Sequence, residues 1–291
     1  MKKAVVIGGS GFLGSHIVDE LSERGFQVVI FDKEKSPWKK EHQEMVVGDF
    51  LDEGLVEKTI SGANYVYHFG GIADIAESRQ KPIEAVDINV LGTMKILKAS
   101  ANEQIERFIY ASTMYVYSPY GSFYRATKQS AEILIEACYE EYGLDYTILR
   151  YGSLYGPRSQ VWNGLRSYVD QILKTGTLYY RGTGNEKREY IYVKDAARLS
   201  VDILDTVHSN QAITLTGQQI FSSKDLIDMI FEITGVRTDV TFSGEKNLGE
   251  HYGITPYRYT PKRSKKLIPD EFVDLGEGIL EIVEEIHGGL D

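Results

Sequence analysis

Cysteine is nearly absent. Cys138 stands alone among 291 residues, so no intrachain disulfide exists and a disulfide-stapled fold is excluded. A single cysteine in a predicted helix reads as a small buried apolar side chain. Long apolar runs are missing too. No stretch approaches the roughly 20 residues that a bilayer requires. The apolar run behind Met1-Lys2-Lys3 stops after Ile7, and no small-residue cleavage site follows. The expectation is a cytoplasmic chain with no membrane partner. Positive charge is scarce: 32 Lys and Arg against 42 Asp and Glu leave a formal charge of -10. Such a surface repels phosphate backbones, which argues against a nucleic-acid partner. An anionic small substrate would need a local cluster of Arg or Lys set against the overall field. No Gly/Ser linker, low-complexity tract or repeat is visible, and no metal site is expected.

What is present is the composition of an ordinary globular protein, 42% hydrophobic and 25% charged. The length suits one large α/β domain or two intimate ones. Residues 4–7 form a continuous apolar run, as in a strand covered on both faces. A glycine-rich stretch follows at 8–14. Leu13, Ile17 and Leu21 then recur at four-residue spacing, one face of a helix over 12–24. Residues 28–31 read as a second strand, completing a βαβ unit with a right-handed crossover. The alternation continues through strands at 45–47, 65–69, 108–110 and 146–149. Helices are predicted at 55–60, 82–102 and 124–142, the last closed by Gly143. Strands alternating with helices imply a doubly wound parallel sheet. After Arg150 the pattern becomes irregular. Residues 1–153 and 190–217 are assigned to the first domain, with strands at 190–193 and 213–215 and a helix from about 195. Residues 154–189 and 218–291 are assigned to a smaller C-terminal α/β domain.

Gly8, Gly11 and Gly14, at spacing three, lie between a predicted strand and helix. A turn without Cβ atoms lets backbone N–H groups and the helix N-terminus approach a pyrophosphate. Asp32, at the end of the second strand, stands where an acidic residue bonds adenosine ribose hydroxyls and repels a 2′-phosphate, which favours NAD over NADP. Lys33 and Lys35 oppose that preference, and a tight turn beside a solvent-exposed Asp is the plain structural alternative. Tyr124 and Lys128, four apart on a helix, project from one face. A free Tyr hydroxyl has a pKa of ~10, and a nearby ammonium favours the phenolate, so the pair suits proton exchange. Alone, Tyr-x-x-x-Lys is a common surface pair. Here it opens a helix and follows Ser112-Thr113 at a strand end, where a hydroxyl can bond the reacting oxygen.

With these residues the chain resembles the extended short-chain dehydrogenases/reductases, the nucleotide-sugar epimerases, dehydratases and ketoreductases typified by UDP-galactose 4-epimerase. The resemblance runs nearly end to end. It includes Gly48-Asp49-Phe50, His68-Phe69-Gly70-Gly71, Asn89-Val90-Leu91-Gly92-Thr93, the segment from Ala111 to Tyr117, the segment from Arg150 to Pro157, and the run from Arg188 to Asp195. It implies a Rossmann domain that holds NAD. Tyr124 would be the proton donor or acceptor, Lys128 would bond the nicotinamide ribose and tune Tyr124, and Thr113 would be the hydroxyl partner. The cofactor set implied is Gly8, Ser10, Gly11, Phe12, Leu13, Gly14, Asp32, Asp49, Phe50, Phe69, Gly70, Gly71, Asn89, Tyr124, Lys128 and Tyr151. Thr113, Tyr124 and Ser153 would meet a nucleotide-sugar substrate. Arg188 would clamp its diphosphate, as bidentate guanidinium bonding suits, with Arg258 as a second phosphate contact. A surface Arg is the alternative for Arg188, and a plain polar helix contact for Asn89.

The chain also departs from the family pattern. Dehydratases carry an Asp-Glu pair after the Thr, and decarboxylating relatives a Glu in this region. Met114 and Tyr115 stand here instead, which disfavours dehydration. Ser153 replaces an expected Asn. Only six residues separate Tyr117 from Tyr124, a shortened rim. The reading is a nucleotide-sugar 4-epimerase working by transient hydride transfer at sugar C4. A 4-ketoreductase or 4-dehydrogenase is the alternative, and an NAD-binding sensor without turnover the remote one. A homodimer is implied through the helices at 82–102 and 124–142, with Ile96, Leu134 and Cys138 on their outer faces.

Overall fold

Apolar runs alternate with amphipathic stretches along most of the chain, and each becomes an element. The computed structural model describes residues 1–237, 239–244 and 253–258. In chain order the first half comprises β1 (Lys3–Ile7), α1 (Phe12–Glu23), β2 (Gln27–Asp32), β3 (Glu44–Val47), α2 (Glu53–Ile60), β4 (Tyr65–His68), α3 (Ile75–Gln80), α4 (Pro82–Val86), a π turn (Asp87–Gly92), α5 (Thr93–Glu103), β5 (Arg107–Thr113), a 3₁₀ turn (Met114–Tyr117), α6 (Ser122–Tyr142) and β6 (Tyr146–Tyr151). Then come β7 (Ser153–Tyr155), α7 (Gly164–Thr175), β8 (Leu178–Tyr180), β9 (Lys187–Tyr192), α8 (Val193–Asp202), β10 (Gln211–Leu215), β11 (Ile220–Ser222), α9 (Ser223–Thr234) and β12 (Val240–Phe242).

Seven strands pair in parallel in the order β10-β6-β5-β4-β1-β2-β3. This is the doubly wound sheet expected. Side chains alternate between its faces. In β1, Ala4 and Val6 join a core with residues of α1 and α8, while Val5 and Ile7 join a core with residues of α2, α5 and α6. Both faces are covered, which is why the strands read as continuous apolar runs. The strand order reverses at β1, and the carboxyl ends of β1 and β4 open the crevice where ligands of such sheets bind.

Three features were not read from the pattern. The predicted helix at 82–102 is interrupted by the π turn, an insertion of the kind often found at functional sites, and α3 precedes it. The strand expected at 190–193 belongs to β9, which pairs with β7 and β11 in a separate three-stranded sheet, so the chain rejoins the main layers at α8. Ile96 and Cys138, placed on outer helix faces, are core residues 0% and 2% exposed, and Leu134 packs against the same core. A third cluster, built from Ile172, Leu178, Tyr180, Leu226, Ile227, Ile230 and Phe231, sits between α7, α9 and β8. Most of the C-terminal part of the expected second domain, from residue 259 on, lies outside the described residues. Among the described residues, no helix is long and apolar enough to cross a membrane.

Candidate active site

The glycine loop lies at the strand-order switch. Gly8 has φ +81, and a Cβ there would stand 2.5 Å from the Gly70 nitrogen and 2.7 Å from the Phe69 carbonyl carbon. The ends of β1 and β4 meet too closely for any side chain. At Gly14 a Cβ would come within 2.2 Å of the Gly8 oxygen, so α1 can pack onto the loop only without one. Helix α1 starts at Phe12 with no side-chain cap and no acidic residue in its first turn. Its first N–H groups and dipole end therefore face the loop without a side-chain cap. Phe12 and Leu13 point into the core. Asp32 ties this turn down: its carboxylate accepts the Ser10 N–H at 2.9 Å and the Glu34 N–H at 3.3 Å, while Ser10 Oγ donates to the Glu34 carbonyl at 2.9 Å. Lys33 and Lys35 are exposed. A cradle that tolerates no Cβ, open to a helix N-terminus and edged by a carboxylate, fits a dinucleotide with free ribose hydroxyls.

The walls of the crevice follow from packing. Phe50 lies over Gly70 and Gly92 and meets His68 edge-on at 5.5 Å. Asp49 is exposed and accepts the Leu51 N–H at 2.9 Å. Phe69 stacks on Tyr67 at 6.2 Å. The Asn89 amide accepts the Ile72 N–H at 2.8 Å and donates to the Ile72 carbonyl and to Thr127 Oγ1 at 3.0 and 3.1 Å. It thereby fastens the Gly71-Ile72 segment to the π turn and α6, a positioning task rather than an open contact. Tyr151 is 5% exposed, and its hydroxyl meets Ser200 Oγ at 2.5 Å. Its ring sits in the core against α8, and burial holds its phenol well above the usual range. The expectation that Tyr151 meets the cofactor gains nothing from this placement.

Strand β5 delivers the next residues. Successive strand side chains point to opposite faces, and Ser112 and Thr113 divide accordingly. Ser112 Oγ donates to Glu132 Oε1 at 2.5 Å. Thr113 caps the 3₁₀ turn, its Oγ1 accepting the Tyr115 N–H at 3.3 Å. On α6, the spacing of four puts Tyr124, Lys128 and Glu132 on one face. Tyr124 is half-buried. Lys128 is 6% exposed, donates from Nζ to the Ala111 carbonyl at 2.8 Å, and lies 4.7 Å from the centre of the Tyr110 ring. Burial lowers its pKa to about 8, with the Glu132 charge pulling the other way.

Two buried groups behind the site were given no role of their own from the sequence. Glu132 takes Arg150 through Nε at 3.0 Å and Nη2 at 2.7 Å, and Arg150 also donates to the Tyr117 hydroxyl. The signal for Glu132 was its place eight residues after Tyr124 on the same helix face. His68 Nε2 meets Thr93 Oγ1 at 2.9 Å, and burial lowers its pKa to about 3, so it is neutral.

Of the expected substrate contacts, Ser153 begins β7 opposite Tyr190 of β9 and is half-buried. Arg188, also half-buried, lies on β9 opposite Phe221. Arg258 is exposed, on a segment that runs along β9: Gly253 O accepts the Lys187 N–H at 2.8 Å, and the Tyr257 hydroxyl donates to buried Glu189. The two arginines thus sit on neighbouring stretches of chain, Arg188 on β9 and Arg258 on the irregular segment beside it. An apolar groove of about 570 Å³ lined by Tyr155, Leu165, Tyr190, Phe221 and Ile230 contains neither of them.

Residues 4–215 match the profile described as the NAD dependent epimerase/dehydratase family. A putative UDP-glucose 4-epimerase of Methanocaldococcus jannaschii is 30% identical over 96% of this chain and 96% of its own length. The UDP-glucose 4-epimerase of Thermotoga maritima, solved with UDP-glucose, superposes with a TM-score of 0.82 at 25% identity, covering 99% of this chain and 100% of that one. The UDP-glucuronic acid 4-epimerase of Bacillus cereus, solved with UDP-glucuronic acid and NAD, gives 0.81 at 25% identity over 90% and 95%.

Proposed function

This chain belongs to the NAD dependent epimerase/dehydratase family, and on that premise we propose that it is an NAD-dependent 4-epimerase of a nucleotide sugar. What supports the reading is that α6 packs on the end of β5, where Lys128 Nζ donates to the Ala111 carbonyl and Tyr115, bonded through its N–H to Thr113 Oγ1, meets the Tyr124 ring. When bound, NAD supplies a reversible hydride acceptor for C4 of the sugar. The glycine loop, the α1 N-terminus and Asp32 would hold it. Tyr124 takes the proton from the C4 hydroxyl and returns it to the same oxygen once the 4-keto sugar has turned over and C4 has been reduced from its opposite face. The Thr113 hydroxyl bonds the reacting oxygen. The Lys128 ammonium favours the Tyr124 phenolate. Met114 is buried and Tyr115 packs on Tyr124, so no carboxyl group directly follows Thr113 to serve as acid or base for removing water, which disfavours dehydration. A 4-ketoreductase or 4-dehydrogenase would use the same three side chains.

Incubation with UDP-, GDP-, dTDP- and CDP-sugars tests the reading. Epimerisation interconverts two sugars with no net change in reduced nicotinamide, whereas net consumption or formation of NADH would establish the one-way alternative. No turnover of any nucleotide sugar, with NAD bound, would leave only the sensor. Calorimetry should show NAD(H) binding more tightly than NADP(H), because a 2′-phosphate would be brought against the Asp32 carboxylate. Equal or reversed affinity would mean that Lys33 or Lys35 dominates.

Arg188→Ala should raise KM for the nucleotide sugar roughly ten- to a hundredfold, the size of one charge-assisted bond, and leave NAD affinity intact. The loss should be larger at low salt, since screening weakens the pairing. Normal substrate binding by the variant would make Arg188 an ordinary surface residue.

The dimer is proposed on residues other than those first named. Ile83, Val86 and Leu91, on α4 and the π turn, are 75%, 44% and 50% exposed, and Ile133 on the adjoining α6 is 64% exposed. Apolar exposure of this kind on neighbouring helices suits an interface between copies. Light scattering should give twice the chain mass, and Ile133→Asp should halve it. A monomeric wild type at micromolar concentration would refute it.

A further inference from the structure

Tyr115 touches both ends of the Thr113–Tyr124 constellation. In the 3₁₀ turn after β5, Met114 and Val116 are each 0% exposed and point into the protein. Tyr115, between them, is half-buried. Its N–H donates to Thr113 Oγ1 at 3.3 Å. Its ring meets the Tyr124 ring edge to face, with centroids 6.0 Å apart and planes at 70°. On another side lies Gly121, the N-cap of α6, where an added Cβ would stand 2.8 Å from Tyr115 Cδ1. Gly121, at the end of the short rim between Tyr117 and α6, thus leaves the space that the Tyr115 ring fills beside Tyr124.

From this geometry we propose that Tyr115 is a positioning and specificity-determining residue: it holds the Tyr124 phenol in register with the reacting oxygen and selects neutral sugars over sugar acids. The inference rests on the 4-epimerase reading. Proton transfer requires a donor–acceptor distance of about 2.6–3.2 Å. A tyrosine in the first turn of a helix keeps that distance only if its ring is held from the side. An edge-to-face partner does so, and a flexible aliphatic side chain does not. The selection follows from the same ring. C5, beside C4 in a hexose, carries either a neutral hydroxymethyl group or a carboxylate. Aromatic carbon accepts the C–H surface of the former. A carboxylate against the ring would shed water without gaining a hydrogen bond from it, while the Lys128 ammonium is directed to the Ala111 carbonyl and the Tyr110 ring and Arg125 Nη1 to the Ser118 carbonyl.

The test compares wild type, Tyr115→Phe and Tyr115→Leu in two ways. The first needs no substrate: in NAD-loaded protein labelled with ¹³C-tyrosine, the Tyr124 resonance, assigned by its loss in Tyr124→Phe, should be single in wild type and Tyr115→Phe. In Tyr115→Leu it should broaden or split. The second is steady-state kinetics with UDP-glucose and UDP-glucuronate. Wild type should favour UDP-glucose by at least about tenfold in kcat/KM. Tyr115→Leu should lose about tenfold in kcat, with KM for UDP-glucose and NAD affinity nearly unchanged, and Tyr115→Phe should restore kcat. An unchanged Tyr124 resonance in Tyr115→Leu, equal kcat in wild type and Tyr115→Leu, or a wild-type preference for the sugar acid would overturn the proposal. A wild type that shows the expected resonances yet turns over no nucleotide sugar would instead strike the 4-epimerase reading and the selection with it, leaving the positioning contact standing.

Discussion

Tyr124→Phe is expected to lower kcat roughly 10²–10⁴-fold, the usual contribution of a positioned acid–base group. The change deletes one oxygen and almost no volume, so the half-buried ring and its contact with Tyr115 persist. NAD affinity and thermal stability should therefore stay close to wild type. A variant keeping more than about a tenth of wild-type activity would remove Tyr124 from the mechanism. Lys128→Met separates function from stability on the same helix face. Its ammonium is buried, and burial, partly offset by the Glu132 charge, brings its pKa from 10.5 down to about 8, a net cost on the order of 3 kcal/mol. The cost is fully present below about pH 8, is relieved as pH rises through the folded value, and is gone above 10.5. Cofactor-free Lys128→Met should thus melt at a higher temperature than wild type at pH 7, and the gain should shrink toward pH 10, while activity is lost. A lower melting temperature at both pH values would mean that the bond to the Ala111 carbonyl outweighs the desolvation.

Glu132→Leu should cost about 3–5 kcal/mol of folding stability. The carboxylate is buried, with its side chain 4% exposed, and takes two hydrogen bonds from Arg150, whose side chain is 11% exposed. Removing it strands a buried guanidinium and leaves Ser112 Oγ without its acceptor. Denaturant unfolding measures the loss. The double variant Glu132→Leu/Arg150→Met should recover much of it, because an apolar pair of similar volume has no charge to desolvate. A single-variant cost below about 1 kcal/mol would show that the pair is effectively solvated. A second effect reaches the active site. Glu132 raises the Lys128 pKa, so its loss should move the alkaline limb of any Lys128-dependent pH profile below about 8.

Local spacing carried the part of this protein that local geometry governs. Three glycines at spacing three need only a turn and a helix start, and Tyr124 and Lys128 need only 3.6 residues per turn, so both were legible before any tertiary contact was known. Strands covered on both faces announce themselves as apolar runs, and the parallel sheet followed from their alternation with helices. Tertiary packing decided the rest. Helical periodicity shows that Ile96 and Cys138 share faces with other apolar residues, but only the neighbouring sheet determines that those faces are core and that Ile83 and Ile133 are the exposed ones. Tyr151 lies on a strand buried on both sides, and its partner Ser200 is 49 residues away in sequence. The π turn that aims Asn89 at Ile72 reflects a one-residue insertion that no periodicity resolves. Glu132 and Arg150, 18 residues apart, meet only because α6 crosses the face of β6. A buried charge tolerates few partners, and the chain alone does not say which of its 42 acidic residues will be enclosed.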